Sequence, residues 1–341
     1  MSWSFDKKTG LFEEVEGDID ENLSVKSFIL VLRSFTQKHN SFFTNNKERF
    51  LQKLTEQEPW KEREEILCSK SDEYLNLLGL LSHKYDTDLV HNVWNIVLSL
   101  FFLRCLSLIS WSPAFPSESE ELAEDEVYLC LLIIHVWQLA QYNTHTMAEL
   151  ITSHSAVVRT QEVGLAIRPA SALLNHSCWP NTVRCSRGYK VVIMASTNIM
   201  VGEEVTDTYT QTFNQVTKEV RQEMCRSYKF VCTCLACKDD WPLLQDLPSS
   251  LIKASQGMFI NHLPRHQVIK LGEDLIEADR QARQLFDTGE TWQALARWRE
   301  MCELAREEIK QPSRIFIIVR ERIQACLWRL YGQQQSSVHQ G

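Results

Sequence analysis

The spacing of apolar positions changes along this chain, and the changes divide it. From residue 22 to 110 the sequence is rich in Leu, Lys, Glu and Phe with Pro59 as its only proline, the texture of a helical region. Two runs, NIVLSLFFLRCLSLIS at 95–110 and VYLCLLIIHVW at 127–137, are apolar nearly all round, which predicts buried core helices. The first is interrupted by Arg104, and both are shorter than the roughly 20 residues of a bilayer span. Between them, WSPAFPSESEELAEDE at 111–126 reads as a loop entering a helix, with its acids at the dipole-favoured N-terminus.

From about Gly164 the period shortens. TVRCSRGYKVVIMAS at 182–196 predicts two strands around an Arg187-Gly188 turn, and EEVTDTY at 203–209 a third after Gly202. Helical spacing returns in TKEVRQEMCRSY at 217–228, and Pro242, Pro248, Ser249 and Ser250 mark a linker. Three helical patterns follow. Leu295, Trp298, Cys302, Ala305 and Ile309 trace one apolar face, and Ile315, Ile318, Val319, Ile323, Cys326, Leu327 and Leu330 trace another. Paired helices of this length resemble tetratricopeptide (TPR) units, and a plain helical bundle fits the pattern equally well.

Composition narrows the chemistry. A net charge of -8 argues against general affinity for nucleic acid or anionic membrane, so proteins and small molecules are the expected partners. No basic start followed by an apolar stretch opens the chain. With 11 cysteines, that predicts a reducing compartment, cytoplasm or nucleus, where clustered thiols bind metal more often than they pair. The cluster is FVCTCLACKDD, which sets Cys232, Cys234 and Cys237 in a C-x-C-x2-C pattern. Three thiolates leave one corner of a tetrahedral zinc, for a water or a fourth thiolate. Cys225 is the nearest spare thiol, expected to face along its helix; Cys178, inside LLNHSCWPNT at 173–182, is the alternative.

Read in order, NHSCWPN, GEEVTDTY and Y-x-F-x-C-x-C-x2-C resemble the C-terminal half of a SET domain with its post-SET zinc site, and most of all the SET-and-MYND (SMYD) family of protein-lysine methyltransferases. The resemblance implies an α+β fold in three parts. Residues 1–135 form a helical region like the SET insertion, 136–241 a β-rich SET half with its zinc-bound post-SET segment, and 250–335 an antiparallel TPR-like bundle. It makes Cys178 the fourth ligand beside Cys232, Cys234 and Cys237 of a structural Zn2+. S-adenosyl-L-methionine is the implied cofactor, contacted by Asn175 and His176, with Asn143 a further asparagine near it. Tyr228 and Phe230 are the implied aromatics that wall a lysine channel and stack on adenine. Tyr209 is the implied catalytic tyrosine, aligning amine and methyl donor, and the implied partner is a protein substrate, histone or other, presenting a lysine.

Two departures qualify the expectation. No Gly-x-Gly element, which in SET domains admits the cofactor's methionine part, occurs in the sequence, and Cys68, Cys105 and Cys130 stand singly where a MYND module has clustered Cys and His. The sequence therefore predicts a family member that begins inside the SET insertion and is weakly active. A non-catalytic, zinc-stabilised scaffold for protein binding is the competing expectation.

Overall fold

The computed structural model describes residues 2–6, 11–15, 21–55, 73–112, 121–152, 159–188, 190–249, 259–261 and 263–332. It divides into two compact units, one of residues 1–146 and 164–173, the other of residues 147–163 and 174–341. Cys68 and residues 113–120 of the expected acidic loop lie outside the described residues.

The first unit opens with an antiparallel pair, β1 (Ser2–Asp6) and β2 (Leu11–Val15), inside the stretch that the resemblance makes a helical region. Helices α1 (Glu21–Thr36), α2 (Asn40–Asn45), α3 (Lys47–Thr55), α4 (Glu73–Leu78), α5 (Leu89–Leu108) and α6 (Glu124–Asn143) follow. Asp88 caps α5 by accepting from the His91 N–H at 2.8 Å. At the start of α6 the acids Glu124 and Asp125 both meet Lys47, at 2.8 and 2.7 Å. The core is aromatic. Phe43 is fully buried, with the rings of Phe35, Tyr74 and Trp111 5.2–5.3 Å from its own. Burial raises the Tyr74 and Tyr128 phenols well above the ordinary tyrosine value. The Tyr128 hydroxyl donates to Phe43 O at 3.0 Å, and the buried His135 hydrogen-bonds Leu78 O through Nε2 at 2.8 Å.

The two apolar runs behave differently. α6 is buried along Tyr128, Leu132, Ile133, Val136 and Leu139, as expected. α5 is not a buried helix: Ser99, Phe102, Leu103 and Leu106 face the core, while Val90, Val93, Trp94, Val97, Phe101 and Leu108 are exposed. Uniform apolarity cannot tell one packed face from two, and here one helix face is packed into the core while much of the other is open to solvent.

The chain passes between units through β3 (Thr144–Thr152) and β4 (Arg159–Ile167), which pair with each other. Neither strand was legible, because β3 starts directly where α6 stops. In the second unit β6 (Thr182–Arg187) and β7 (Lys190–Ala195) form the predicted hairpin, Arg187 pairing with Lys190. Gly188 takes φ 55°, the left-handed conformation a two-residue hairpin turn requires. β5 (Asn175–His176) and β8 (Thr206–Asp207) are two residues each and run parallel. Among the described residues the sheets are thus four two-stranded pairs, and the expected β-rich core is sparer in strand than its name implies.

Helix α7 (Lys218–Ser227) and the single turn α8 (Leu235–Lys238) carry the cysteine segment. Helices α9 (Arg265–Asp287), α10 (Thr291–Glu308) and α11 (Arg314–Tyr331) form the C-terminal bundle, and their short connections fold them up and down. All five positions of the predicted α10 face are buried. α11 is buried on two sides, adding Phe316, Ile317 and Arg320 to the predicted stripe, because it also packs on β6 and the cysteine region. Arg320 lies 3.9 Å over the Trp179 ring.

Candidate metal centre and aromatic site

The site is built on the parallel pair β5–β8, which is too short to hold itself. Side chains lock it. Asn181 Oδ1 accepts the Thr206 N–H at 2.9 Å while its Nδ2 donates to Glu204 O at 2.8 Å, and the Thr182 hydroxyl donates to Thr206 O at 2.7 Å. Ser177 N–H to Asp207 O and Phe213 N–H to Cys178 O extend the pairing past its end. Beneath it the buried Asp207 carboxylate accepts from Arg184 at 2.5 Å.

These locks place Cys178 against the C-terminal cysteines. The sulfurs of Cys178, Cys232, Cys234 and Cys237 all lie within 4.8 Å of one another, with Cys178 3.5 Å from Cys237 and 3.9 Å from Cys232. Four sulfurs each about 2.3 Å from one zinc stand about 3.8 Å apart, so these separations bracket the tetrahedral value. Cys178, Cys232 and Cys237 are buried, and Cys234 is half-buried. Gln222 grips Cys232 from both sides, its Nε2 donating to Cys232 O at 2.7 Å and its Oε1 accepting the Cys232 N–H at 3.2 Å. The Cys237 N–H returns to Cys234 O at 2.9 Å, the tight turn that lets C-x2-C thiols converge. Hydrogen bonds, first from Cys178, hold the Cys232 thiol below the ordinary value. Cys178, the donor to it, is raised.

An independent observation shows that the donor set fits a cation. Arg221 is fully buried, and among the described residues no carboxylate pairs with it. Its guanidinium donates to Val216 O at 2.6 Å, lies 4.0 Å from Cys237 Sγ, and keeps an unbonded Nε. A buried cation without a counter-charge is costly. Four thiolates around Zn2+ carry net negative charge, which is the counter-charge Arg221 lacks. Cys225 departs from expectation: it turns into this cluster, fully buried and hydrogen-bonded to Cys232, instead of lying along the helix surface. Arg221 and Cys225 are four residues apart on α7 and so share its inner face, a signal available in the sequence.

Beside the thiols stands an aromatic group. The Tyr209 ring lies 5.4 Å from His176, 5.4 Å from Tyr228 and 6.1 Å from Phe230, and His176 is 5.7 Å from Phe230. Lys229 takes the left-handed φ of 65° after α7, and that turn brings Tyr228 and Phe230 to the same tyrosine. No glycine marks it, so it was invisible in the sequence. The Tyr209 hydroxyl donates to Leu174 O at 2.6 Å, and its N–H donates to His176 Nδ1 at 3.0 Å. Burial, then Asp207, pushes the phenol up to about 12, so it stays neutral at working pH. Asn175 is exposed at the edge, its Nδ2 donating to Glu204 Oε1 at 2.6 Å. Asn143 belongs to the other unit, where its amide donates to Leu81 O and Leu139 O, both at 2.7 Å. The structure thus gathers Asn175, His176, Tyr209, Tyr228 and Phe230 in one unit with the four cysteines.

Comparison with known proteins identifies the family. The SET domain family model matches residues 27–210. N-lysine methyltransferase SMYD2-A of Xenopus laevis is 29% identical over 147 residues, covering 43% of this chain and 31% of that protein. Histone-lysine N-methyltransferase SMYD3 of Homo sapiens is 37% identical over 78 residues, 23% of this chain and 18% of that protein. Protein-lysine N-methyltransferase SMYD4 of Mus musculus is 26% identical over 218 residues, 56% and 27% of the respective chains. The chain therefore spans about a third or less of the length of the curated relatives it matches.

Proposed function

The chain belongs to the SET domain family, and from that premise we propose that it is an S-adenosyl-L-methionine-dependent protein-lysine methyltransferase with a structural zinc. The observation that carries the reading is the double hold on Tyr209. With its proton committed to Leu174 O, the phenol oxygen can only accept a hydrogen bond, and with its ionisation pushed up to about 12 it does so as a neutral group. Such an acceptor suits an incoming lysine amine, which must be lined up and must lose its proton before it reacts. The bound cofactor supplies the sulfonium methyl. Asn175 and the backbone around His176 would hold its amino-acid end and adenine, Phe230 would stack on the flat base, and Tyr228 would wall the lysine channel beside Tyr209. Asn143 we assign a supporting place through its hold on α6. The substrate is a lysine on a cytoplasmic or nuclear protein, and Cys178, Cys232, Cys234 and Cys237 close the zinc.

Tyr209→Phe should lower turnover on the order of 100-fold while cofactor binding changes little, since a positioning contact is lost and packing is kept. Equal turnover in the variant would remove Tyr209 from the chemistry. The competing reading is a non-catalytic, zinc-stabilised scaffold for protein binding, and isothermal titration with S-adenosyl-L-methionine separates the two. We expect these 341 residues to bind it weakly. No heat at any concentration, also after addition of a Gly-x-Gly strand segment from a relative, would leave the scaffold.

A further inference from the structure

We infer that the side chain of His176 couples the thiolate centre to Tyr209, so that filling the centre sets the position of the phenol. The imidazole stands between the two. Its Nδ1 accepts the Tyr209 N–H at 3.0 Å, so that nitrogen carries no hydrogen and the ring hydrogen sits on Nε2. Nε2 is 3.4 Å from Cys178 Sγ, within reach of an N–H···S bond, and the ring also lies within 4.8 Å of Cys232 Sγ. His176 therefore donates to a zinc ligand with one nitrogen and holds the tyrosine backbone with the other.

Three further features make this a linkage and not a coincidence of neighbours. Residue 174 grips the other end of the same tyrosine, since the Tyr209 hydroxyl donates to Leu174 O at 2.6 Å. Residues 174–176 thus fix both the backbone and the phenol of Tyr209. β5 is a two-residue strand whose partner β8 ends at Asp207, and among the bonds that extend the pairing it is the His176 side chain that reaches the backbone of residue 209. The imidazole is also flanked by the Tyr209 and Phe230 rings at 5.4 and 5.7 Å, so it cannot turn without displacing an aromatic ring.

The direction of the effect follows from the sulfur. A metal-bound sulfur is purely an acceptor, whereas a free thiol brings a hydrogen of its own. The Nε2–H···S bond is accordingly strongest when the centre is filled, and groups that hydrogen-bond metal ligands commonly contribute about 10- to 100-fold in metal affinity. In the empty centre the ring loses its anchor and the Tyr209 N–H loses its fixed acceptor. The consequence for turnover rests on the methyltransferase reading above; the coupling itself does not.

The test reads metal and backbone without assaying methyl transfer. Full-length protein with cobalt(II) in the thiolate site would be compared for wild type, His176→Phe and His176→Gln. Three readouts apply: the sulfur-to-cobalt charge-transfer band, the rate of metal loss to a chelator, and hydrogen exchange at the Tyr209 amide. His176→Phe should shift the band to lower energy, raise metal loss about 10- to 100-fold and unprotect the Tyr209 amide. His176→Gln, which keeps a donor and an acceptor, should recover part of all three. In wild type alone, removing the metal should speed Tyr209 amide exchange, a measurement that needs no variant to fold. An unshifted band with unchanged metal loss in His176→Phe overturns the inference, as does a Tyr209 amide in wild type indifferent to metal. Coupling without methyl transfer would retain the inference and dismiss the methyltransferase reading; methyl transfer without coupling would do the reverse.

Discussion

The two units are held together by different physics. In the helical unit Phe35, Phe43, Phe50 and Tyr74 interlock with Phe102, Leu106 and Ile133, and stability comes from area removed from water. In the second unit a comparable core exists between α9, α10, α11 and β6, yet the segment carrying the site is organised around four thiols, a buried arginine and two-residue strands. The first arrangement needs only its own side chains. The second sets a buried arginine beside four thiols, and on the zinc reading its integrity belongs jointly to the chain and to an ion. The helical unit tolerates an apolar face of α5 left open to solvent, whereas in the site segment Gln222 takes both backbone groups of Cys232 and the Cys237 N–H returns to Cys234 O.

The strongest way to break this comparison is to remove the metal. Structural zinc contributes on the order of 10 kcal/mol to folding in small sites. Chelation, or Cys178→Ser, should therefore unfold residues 174–240 as followed by hydrogen exchange, with protection around Phe43 and Ile133 retained. Loss of protection in both units at the same chelator concentration would mean that the two are not separately stabilised. Elemental analysis should give one zinc per chain, reduced in Cys178→Ser and kept in Cys225→Ser.

A core truncation probes the other side. Phe43→Ala leaves a cavity among Phe35, Phe50, Tyr74 and Trp111 and should cost about 4 kcal/mol in denaturant unfolding of the helical unit. Zinc affinity should not move. A weakened zinc site in this variant would contradict the division.

Acid provides the smallest and most selective effect. Burial lowers His135 from the usual histidine value to about 4. A histidine depressed in the folded state stabilises fully above its unfolded value near 6.5, and that contribution is lost as pH falls through about 4. Over that window the helical unit should lose about 3 kcal/mol, one pKa unit being about 1.4 kcal/mol. His135→Gln, which keeps a donor for Leu78 O, should flatten the profile. An unchanged slope would place the acid sensitivity elsewhere.

What could be read from the residues alone follows the same division. The cysteine quartet was legible because metal ligands obey short, rigid spacing rules, and Cys178 because the NHSC motif carries it. Tyr209, His176 and Phe230 were legible through their motifs, and the geometry unites them. Arg221, Gln222 and Asn181 were not foreseen. Their partners are backbone atoms or sulfurs that only folding brings near, and a lone Arg or Gln on a helix normally faces water. The exposed side of α5 was misread because an apolar run reports what a helix can bury, not whether anything is there to bury it. Lys229 escaped because a left-handed cap without glycine leaves no mark in the sequence.

The contact between Cys178 and Cys232 has a consequence in time. The two sulfurs are 54 residues apart in sequence, and the β6–β7 hairpin, β8 and α7 all lie inside the loop they close. Joining the ends of so long a loop costs about 4 kcal/mol of chain entropy by the estimate used for covalent cross-links. Nothing in the two-residue strands can return that before the ion arrives. The interior hairpin, a local structure, can form in microseconds, but the loop that encloses it must wait for its clasp. A newly made chain is therefore expected to pass through a period in which its helical unit is compact and the segment between Cys178 and Cys232 is still an open loop. On the zinc reading proposed above, the length of that period is set by how fast the four cysteines take up the ion.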